Sequence, residues 1–197
     1  MQLINRLSNL YHRLITAVFY RPLFRAIGSG TTVRKPILIS NPQFISIGNG
    51  VFIRDGVRLE VVGPRDGITP VLSIGDNTNI EQNVHIVCGS RIQIGSNVTI
   101  TGNCSIVDVT HPYQDVEDPV KIGERISTAP SYVEIGDGSF IGMGSVILPN
   151  VCIGSKVVVG ANSVVTQDIP DCCVAAGAPA RIIKKYDKQK KTWERVS

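Results

Sequence analysis

The chain has few of the residues on which much binding and catalytic chemistry depends. It holds three histidines, a single tryptophan and five cysteines, none of them in a C-x-x-C pair. Cys88, Cys104, Cys152, Cys172 and Cys173 therefore read as free, structural thiols of a reducing compartment, not as a disulfide framework or as nucleophiles. Residues 1–30 contain scattered arginines and no apolar run of spanning length, which predicts neither a signal peptide nor a transmembrane helix. Acid is missing from residues 1–36, which hold six Arg/Lys. Residues 37–180 reverse this, with seven basic and fourteen acidic side chains, and residues 181–197 hold seven basic and two acidic. An acidic centre excludes the basic stripe that a nucleic-acid-binding face needs. The basic tail suits a phosphate-bearing ligand or simple solvation.

What the chain does have is a six-residue beat. An aliphatic residue recurs at Ile74, Ile80, Ile86 and Ile92, at Ile94, Ile100 and Ile106, and again at Ile135, Ile141, Ile147, Ile153, Val159 and Val165. Gly often follows it, and a small or β-branched residue usually stands four positions on, as at Thr78, Val84, Val98, Cys104, Ser139, Ser145 and Ser163. Helices and hairpin sheets have no period of six. A coiled solenoid does, because each hexapeptide lays down one short strand and one corner. The aliphatic residue points into the coil, and the small residue fills the space beside the corner. Gly, Asn and Asp at the corners tolerate positive φ. Three hexapeptides make one triangular coil, and coils stack at roughly 4.8 Å.

An aliphatic-x-Ile-Gly signature marks new coils at Ile45-Ser46-Ile47-Gly48, Leu72-Ser73-Ile74-Gly75, Ile92-Gln93-Ile94-Gly95 and Val133-Glu134-Ile135-Gly136. The spacing predicts coils starting near Val33, Ile47, Ile74, Ile94, Ile135 and Ile153, with a partial coil beyond. Two segments interrupt the beat: a short excursion over residues 62–71 and a long loop, rich in charge and proline, over residues 112–132. Long loops on a rigid scaffold often carry function. Residues 2–27 read as helical, broken near Pro22, with Leu3, Leu7, Leu10, Leu14 and Val18 at helical spacing. This segment either covers the open end of the solenoid or attaches weakly to an anionic membrane surface. The tail from Ile182 is helical or extended, with Trp193 packed on the body. The expected organisation is an all-β solenoid: a helical N-terminal segment (1–32), the solenoid domain (33–180) and a basic C-terminal tail (181–197).

His12 lies in the helix. His85 and His111 each occupy the last position of a hexapeptide, which points outward. His111 stands at the mouth of the longest insertion, a natural place for a general base.

The run from Ile94 to Pro112, the segments Ile135–Gly154 and Gly160–Ile183, the motif Thr110-His111-Pro112 and the segment Ala176-Gly177-Ala178-Pro179-Ala180 resemble the hexapeptide-repeat acetyltransferases. Residues 33–185 share in the likeness. Asn83-Val84-His85-Ile86, His111-Pro112-Tyr113 and the basic tail ending in Trp193-Glu194 bring it nearest to the bacterial O-antigen, capsule and exopolysaccharide O-acetyltransferases. The resemblance implies a left-handed parallel β-helix, a homotrimer with sites between subunits, and acetyl-CoA as co-substrate without a metal. It implies His111 as the catalytic base, with Asn83 and His85 on the acceptor side. Gly89 stands where an acceptor-binding Asp is common, so acceptor specificity should differ. Phe140 replaces a frequent Trp. Gly142 and Met143 would offer backbone N–H groups to an oxyanion. Ala161, Thr166 and Arg181 match coenzyme A contacts, Gln167 replaces a frequent Lys, and Lys184 could offset that loss.

The implied reaction is direct transfer. His111 takes the proton of a sugar hydroxyl while that oxygen attacks the thioester carbonyl. The second ring nitrogen needs an acceptor to fix the tautomer, and Asp108 and a backbone carbonyl are the candidates. The expected role is O-acetylation of a surface-polysaccharide precursor in the cytoplasm, at or near the inner face of the membrane. Alternatives are an N-acetyltransferase of an amino-sugar nucleotide, for which residues 1–32 are too short to form the usual βαβ unit, a non-catalytic solenoid scaffold, and a zinc carbonic anhydrase, which needs three converging histidines.

Overall fold

The computed structural model describes residues 2–65 and 67–196. Asp66 of the short excursion, Ser197 and the side chains of residues 2–5, including Leu3, lie outside the described residues. Each hexapeptide forms a strand of two to four residues, and the strands line up into three faces of a triangular coil. The first face stacks Ala26–Ile27, Ile45–Ile47, Val71–Ile74, Arg91–Ile94, Tyr132–Ile135 and Val151–Ile153. The second stacks Thr32–Val33, Phe52–Ile53, Asn79–Ile80, Thr99–Ile100, Phe140–Ile141 and Val158–Val159. The third stacks Leu38–Ser40, Arg58–Val61, His85–Cys88, Ser105–Val107, Val146–Ile147 and Val164–Val165. Neighbouring strands on each face are parallel and one coil apart.

The register follows the beat. Ile74, Ile94, Ile135 and Ile153 are successive partners on the first face. Ile80, Ile100, Ile141 and Val159 are partners on the second, and Ile86, Ile106, Ile147 and Val165 on the third. All twelve are buried in one continuous apolar column. Each side chain taken from water adds about 1.5–3 kcal/mol of transfer free energy.

The small-residue slot has a second use. Thr78 Oγ1 donates to Gly95 O (2.9 Å) and accepts the Val98 N–H (3.1 Å). Ser139 does the same with Gly154 O and Val157 N–H, and Ser145 with Gly160 O and Ser163 N–H. A buried hydroxyl satisfied in both senses stitches one coil to the next without an orphaned polar group.

The solenoid starts one strand earlier than the sequence reading expects. The helix Gln2–Ile15 (α1) continues through a π-helical turn, Thr16–Tyr20, but residues 23–27 are not helical. Ala26–Ile27 already pairs with Ser46–Ile47. The physical reason is the beat itself: Ile27, Val33 and Ile39 keep the six-residue spacing, so residues 26–32 belong to the first coil. An end coil leaves backbone groups unpaired, and the helical segment covers them. Thr16 Oγ1 accepts the Val33 N–H (2.8 Å) and donates to His12 O (2.7 Å). The guanidinium of Arg13 donates to Gly30 O, and that of Arg21 to Gly28 O.

At the other end the tail is extended. Cys173–Gly177 joins the second face beside Val158–Val159 and turns into the antiparallel strands Ala180–Asp187 and Thr192–Arg195. Trp193 packs edge-on against Tyr186 (5.4 Å between ring centres) within this hairpin.

Candidate active site

Both interruptions of the beat leave the coil at the same edge. The excursion joins Arg58–Val61 on the third face to Val71–Ile74 on the first, and the long loop joins Ser105–Val107 to Tyr132–Ile135. Between them the turn Cys88–Arg91 makes the same crossing without an insertion. The three crossings are tied together. Arg65 donates to Gly89 O (3.1 Å) and to Ser127 O (3.4 Å), linking excursion, turn and loop.

Asp108 anchors the turn. Its buried carboxylate accepts the N–H groups of Gly89, Ser90 (2.8 Å) and Arg91 (2.6 Å). Burial raises its pKa, and the three N–H groups act in the opposite direction. A carboxylate committed to three backbone donors is not the orienting partner of His111. Gly89 is tightly enclosed here: a Cβ would stand 2.8 Å from Val109 Cγ2 and 2.9 Å from the Arg65 guanidinium. The space for a longer acceptor-binding side chain is filled by Arg65.

His111 is exposed at the mouth of the loop, and its Nδ1 lies 2.8 Å from the backbone carbonyl of Arg125. A carbonyl only accepts, so Nδ1 carries the proton and Nε2 presents its lone pair to solvent. Among the described residues Nε2 has no hydrogen-bond partner. Arg125 is the residue that sequence reasoning missed. Its side chain is only 11% exposed. It donates to the carbonyls of Val120 (2.7 Å), Asp115 (2.8 Å) and Asp118 (2.7 Å), and pairs with the Asp118 carboxylate (3.2 Å). One guanidinium thus gathers the loop, while its own carbonyl fixes the imidazole. The Ser127 N–H closes the base of the loop on Thr110 O (3.0 Å). The available signal was an arginine set within an acidic, proline-containing loop.

The remaining expected site residues do not gather around His111 within one chain. Asn83 takes a left-handed φ of 58° at the edge between the second and third faces, where its amide donates to Asn103 Oδ1 (3.2 Å). It is a rung of a corner ladder. His85 lies on the third face between Arg58 and Ser105, where desolvation, and then Arg58, lower its pKa. Phe140 is exposed on the second face, in a column that continues through Val158, Val174 and Lys184. A register shift beside Ala175 sets Arg181 opposite Ala176 and Lys184 opposite Val174, so both face outward despite their odd spacing.

Gly142, Met143 and Ala161 follow the second face at its edge. The Gly142 N–H is already donated to Val159 O (2.8 Å), which removes it as an oxyanion donor. Among the described residues the Met143 N–H makes no hydrogen bond. Thr166 and Gln167 follow Val165 on the third face, and so lie on the same edge as His111, at a later coil. The expected coenzyme A contacts are therefore divided between two edges of the triangle. The cysteines take no part: burial pushes Cys88 up to about 12 and raises Cys104 as well.

The chain is similar to known proteins of one family. The family described as bacterial transferase hexapeptide (six repeats) matches residues 132–167. WbbJ of Escherichia coli K12, named for an O-acetyl transferase of lipopolysaccharide biosynthesis, is 34% identical over 187 residues, covering 93% of this chain and 89% of its own. The chain belongs to the hexapeptide-repeat acyltransferase family. The galactoside O-acetyltransferase of Lactococcus lactis is 31% identical across 83% of this chain and 76% of its own. Among solved structures, the N-acyltransferase AntD of Bacillus cereus, complexed with dTDP and 3-hydroxybutyryl-CoA, superposes with a TM-score of 0.73 at 24% identity. It covers 89% of this chain and 90% of its own, a likeness of fold. A hexapeptide-repeat acetyltransferase of Vibrio cholerae, complexed with acetyl coenzyme A, gives 0.61 at 25% identity, covering 93% of this chain and 87% of its own. This acyltransferase is thus an enzyme on a left-handed parallel β-helix.

Proposed function

We propose that this acyltransferase moves an acetyl group from acetyl-CoA to a sugar hydroxyl of a surface-polysaccharide precursor, with His111 as general base. The observation that carries the reading is the fixed tautomer of His111, with Nδ1–H on the Arg125 carbonyl and a free Nε2 at the loop mouth. Nε2 takes the proton of the acceptor hydroxyl as its oxygen attacks the thioester carbonyl. The tetrahedral intermediate collapses, and coenzyme A leaves as the thiol after receiving that proton from His111. The Met143 N–H is the remaining backbone candidate for the oxyanion. Such a base contributes ~10²–10⁴-fold.

The division of residues between two edges supports a homotrimer. Threefold packing sets the His111 edge of one subunit beside the neighbour's Phe140 face, so that the pantetheine arm runs between subunits. Arg181, Lys184, Thr166, Gln167 and Ala161 then meet the nucleotide and its arm, while Asn83 and His85 lie toward the acceptor or serve the coil. The acceptor is a sugar or polysaccharide precursor in the cytoplasm, free, nucleotide-linked or carried on lipid. The WbbJ and galactoside relatives favour oxygen over nitrogen as the acceptor atom. The Bacillus N-acyltransferase keeps amino-sugar nucleotides as the second reading.

The test is acetyl transfer by the wild-type chain and by His111→Ala, with hydroxyl and amino-sugar acceptors side by side. His111→Ala should lose at least ~10²-fold with the oligomer intact. Equal rates in the two proteins would remove the mechanism, and acetylation of amines alone would replace the acceptor assignment.

A further inference from the structure

Helix α1 is mounted inside out. An amphipathic helix on a globular protein usually turns its apolar stripe to the core. Here the buried side chains are polar: His12 and Thr16 face the solenoid, and Arg13 reaches Gly30 O beside them. Leu7, Leu10, Tyr11, Leu14, Val18 and Phe19 are 54–65% exposed. The capping bonds of Thr16, Arg13 and Arg21 hold the helix in this orientation, so the apolar side is presented by the seat itself.

The segment that bears the stripe carries one sign, although Arg34 within it is paired with Asp55 of the next coil (3.0 Å). Residues 1–36 hold six Arg/Lys and no acid, and Arg6 and Arg25 are exposed. That selects among covers. A symmetric helix-to-helix contact between copies of this chain would bring identical cationic segments together without a compensating acid; a threefold contact with a neighbour's acidic solenoid is the other cover, and the oligomer arm of the test below reads it. A bilayer carrying anionic headgroups satisfies both features, taking up the leucines at the acyl boundary and the arginines at the phosphates. No helix among the described residues is long and apolar enough to cross a membrane. A helix lying in the interface needs neither property.

We infer that α1 and the following turn form a docking surface for an anionic phospholipid bilayer, with Leu7, Leu10, Tyr11, Leu14, Val18 and Phe19 entering the interface and Arg6 and Arg25 meeting headgroups. Docking leaves the solenoid outside the bilayer, with the His111 loop three coils from the helix-capped end. At the spacing between paired strands, that is about 14 Å along the coil axis. The inference stands on the helix alone and is independent of which acceptor atom is acetylated.

The experiment is sedimentation of the full chain with phosphatidylcholine vesicles, with and without phosphatidylglycerol. Wild type should pellet with the anionic vesicles, weakly with the neutral ones, and less as salt screens the arginines. Leu10→Ser/Leu14→Ser should bind at least ~10-fold more weakly, with unchanged thermal unfolding and unchanged acetyl transfer to a soluble acceptor. Arg6→Glu/Arg25→Glu tests the charge without touching the stripe, and should abolish the preference for phosphatidylglycerol. Failure of wild type to pellet with anionic vesicles overturns the inference. So does a double serine variant that binds as wild type, or one whose oligomer dissociates while wild type ignores lipid, which would make the stripe a subunit contact.

Discussion

In the coils the periodic aliphatic residue faces the axis: Ile80, Ile100 and Ile141 are stacked and fully buried. In α1 Leu7, Leu10 and Leu14 are left exposed, while His12, and Thr16 of the following turn, are the side chains buried. Apolar periodicity fixes which residues share a face. It does not say what that face meets. A coil encloses its apolar face by winding round it, so the inward direction is set by the chain's own geometry. A lone helix can be seated by either side, and the unpaired Val33 N–H and the Gly30 and Gly28 carbonyls drew the polar side down.

The sharpest way to break this comparison is to make the same kind of truncation in both regions. Ile106→Ala should cost about 2–5 kcal/mol, because the coil cannot close over the space left. Leu14→Ala should stay within about 0.5 kcal/mol of wild type. Denaturant unfolding of both variants measures the difference, and equal losses would mean that the helix stripe is packed after all.

The long loop is a third case, ordered by polar contacts around one side chain. Arg125→Ala should leave unfolding nearly unchanged but lower kcat by roughly 10–10²-fold, because the carbonyl that orients His111 loses its support. The pH profile of kcat should shift with it, whereas KM for acetyl-CoA should not. Arg125→Lys should recover little, since one ammonium cannot span three carbonyls.

Thr16→Val tests the polar seat. It leaves the Val33 N–H without its acceptor and should cost about 1–3 kcal/mol, read as loss of the helix end before the coils in hydrogen exchange. The smallest effect belongs to His12, whose pKa is lowered first by burial and then by Arg34. The folded state resists the proton that the unfolded chain accepts near 6.5. Stability is therefore complete above that value and declines as pH falls below it. His12→Gln should reduce this dependence between pH 7 and 5, measured by thermal unfolding, and leave the part that His85, lowered in the same direction, contributes.

Much of the molecule was legible in its residues. The coil starts at Ile47, Ile74, Ile94, Ile135 and Ile153, the two insertions and the outward setting of His111 follow from spacing alone. The first strand, Ala26–Ile27, reads as helix because Leu23–Ile27 fits a helical pattern over so short a stretch, while its pairing with Ser46–Ile47 depends on a partner twenty residues away. The site was read residue by residue but not as an assembly. Asn83 reads as a ligand-binding amide, and only the structure shows that its left-handed φ and its bond to Asn103 also make it a corner rung. Gly142 looks like an oxyanion donor until Val159 takes its N–H.

The sequence by itself determined the coil, because a six-residue period buries one aliphatic column in only one way. It determined where the loop leaves the coil and that His111 stands at its mouth. The tertiary structure decided the rest: that Asp108 serves three backbone N–H groups, that the Arg125 carbonyl sets the tautomer of His111, that two edges share the expected cofactor contacts, and that the helix shows its leucines to the outside. Each of these depends on hydrogen bonds between backbone groups and residues distant in sequence, and no local pattern of side chains encodes where an unpaired N–H or carbonyl will stand.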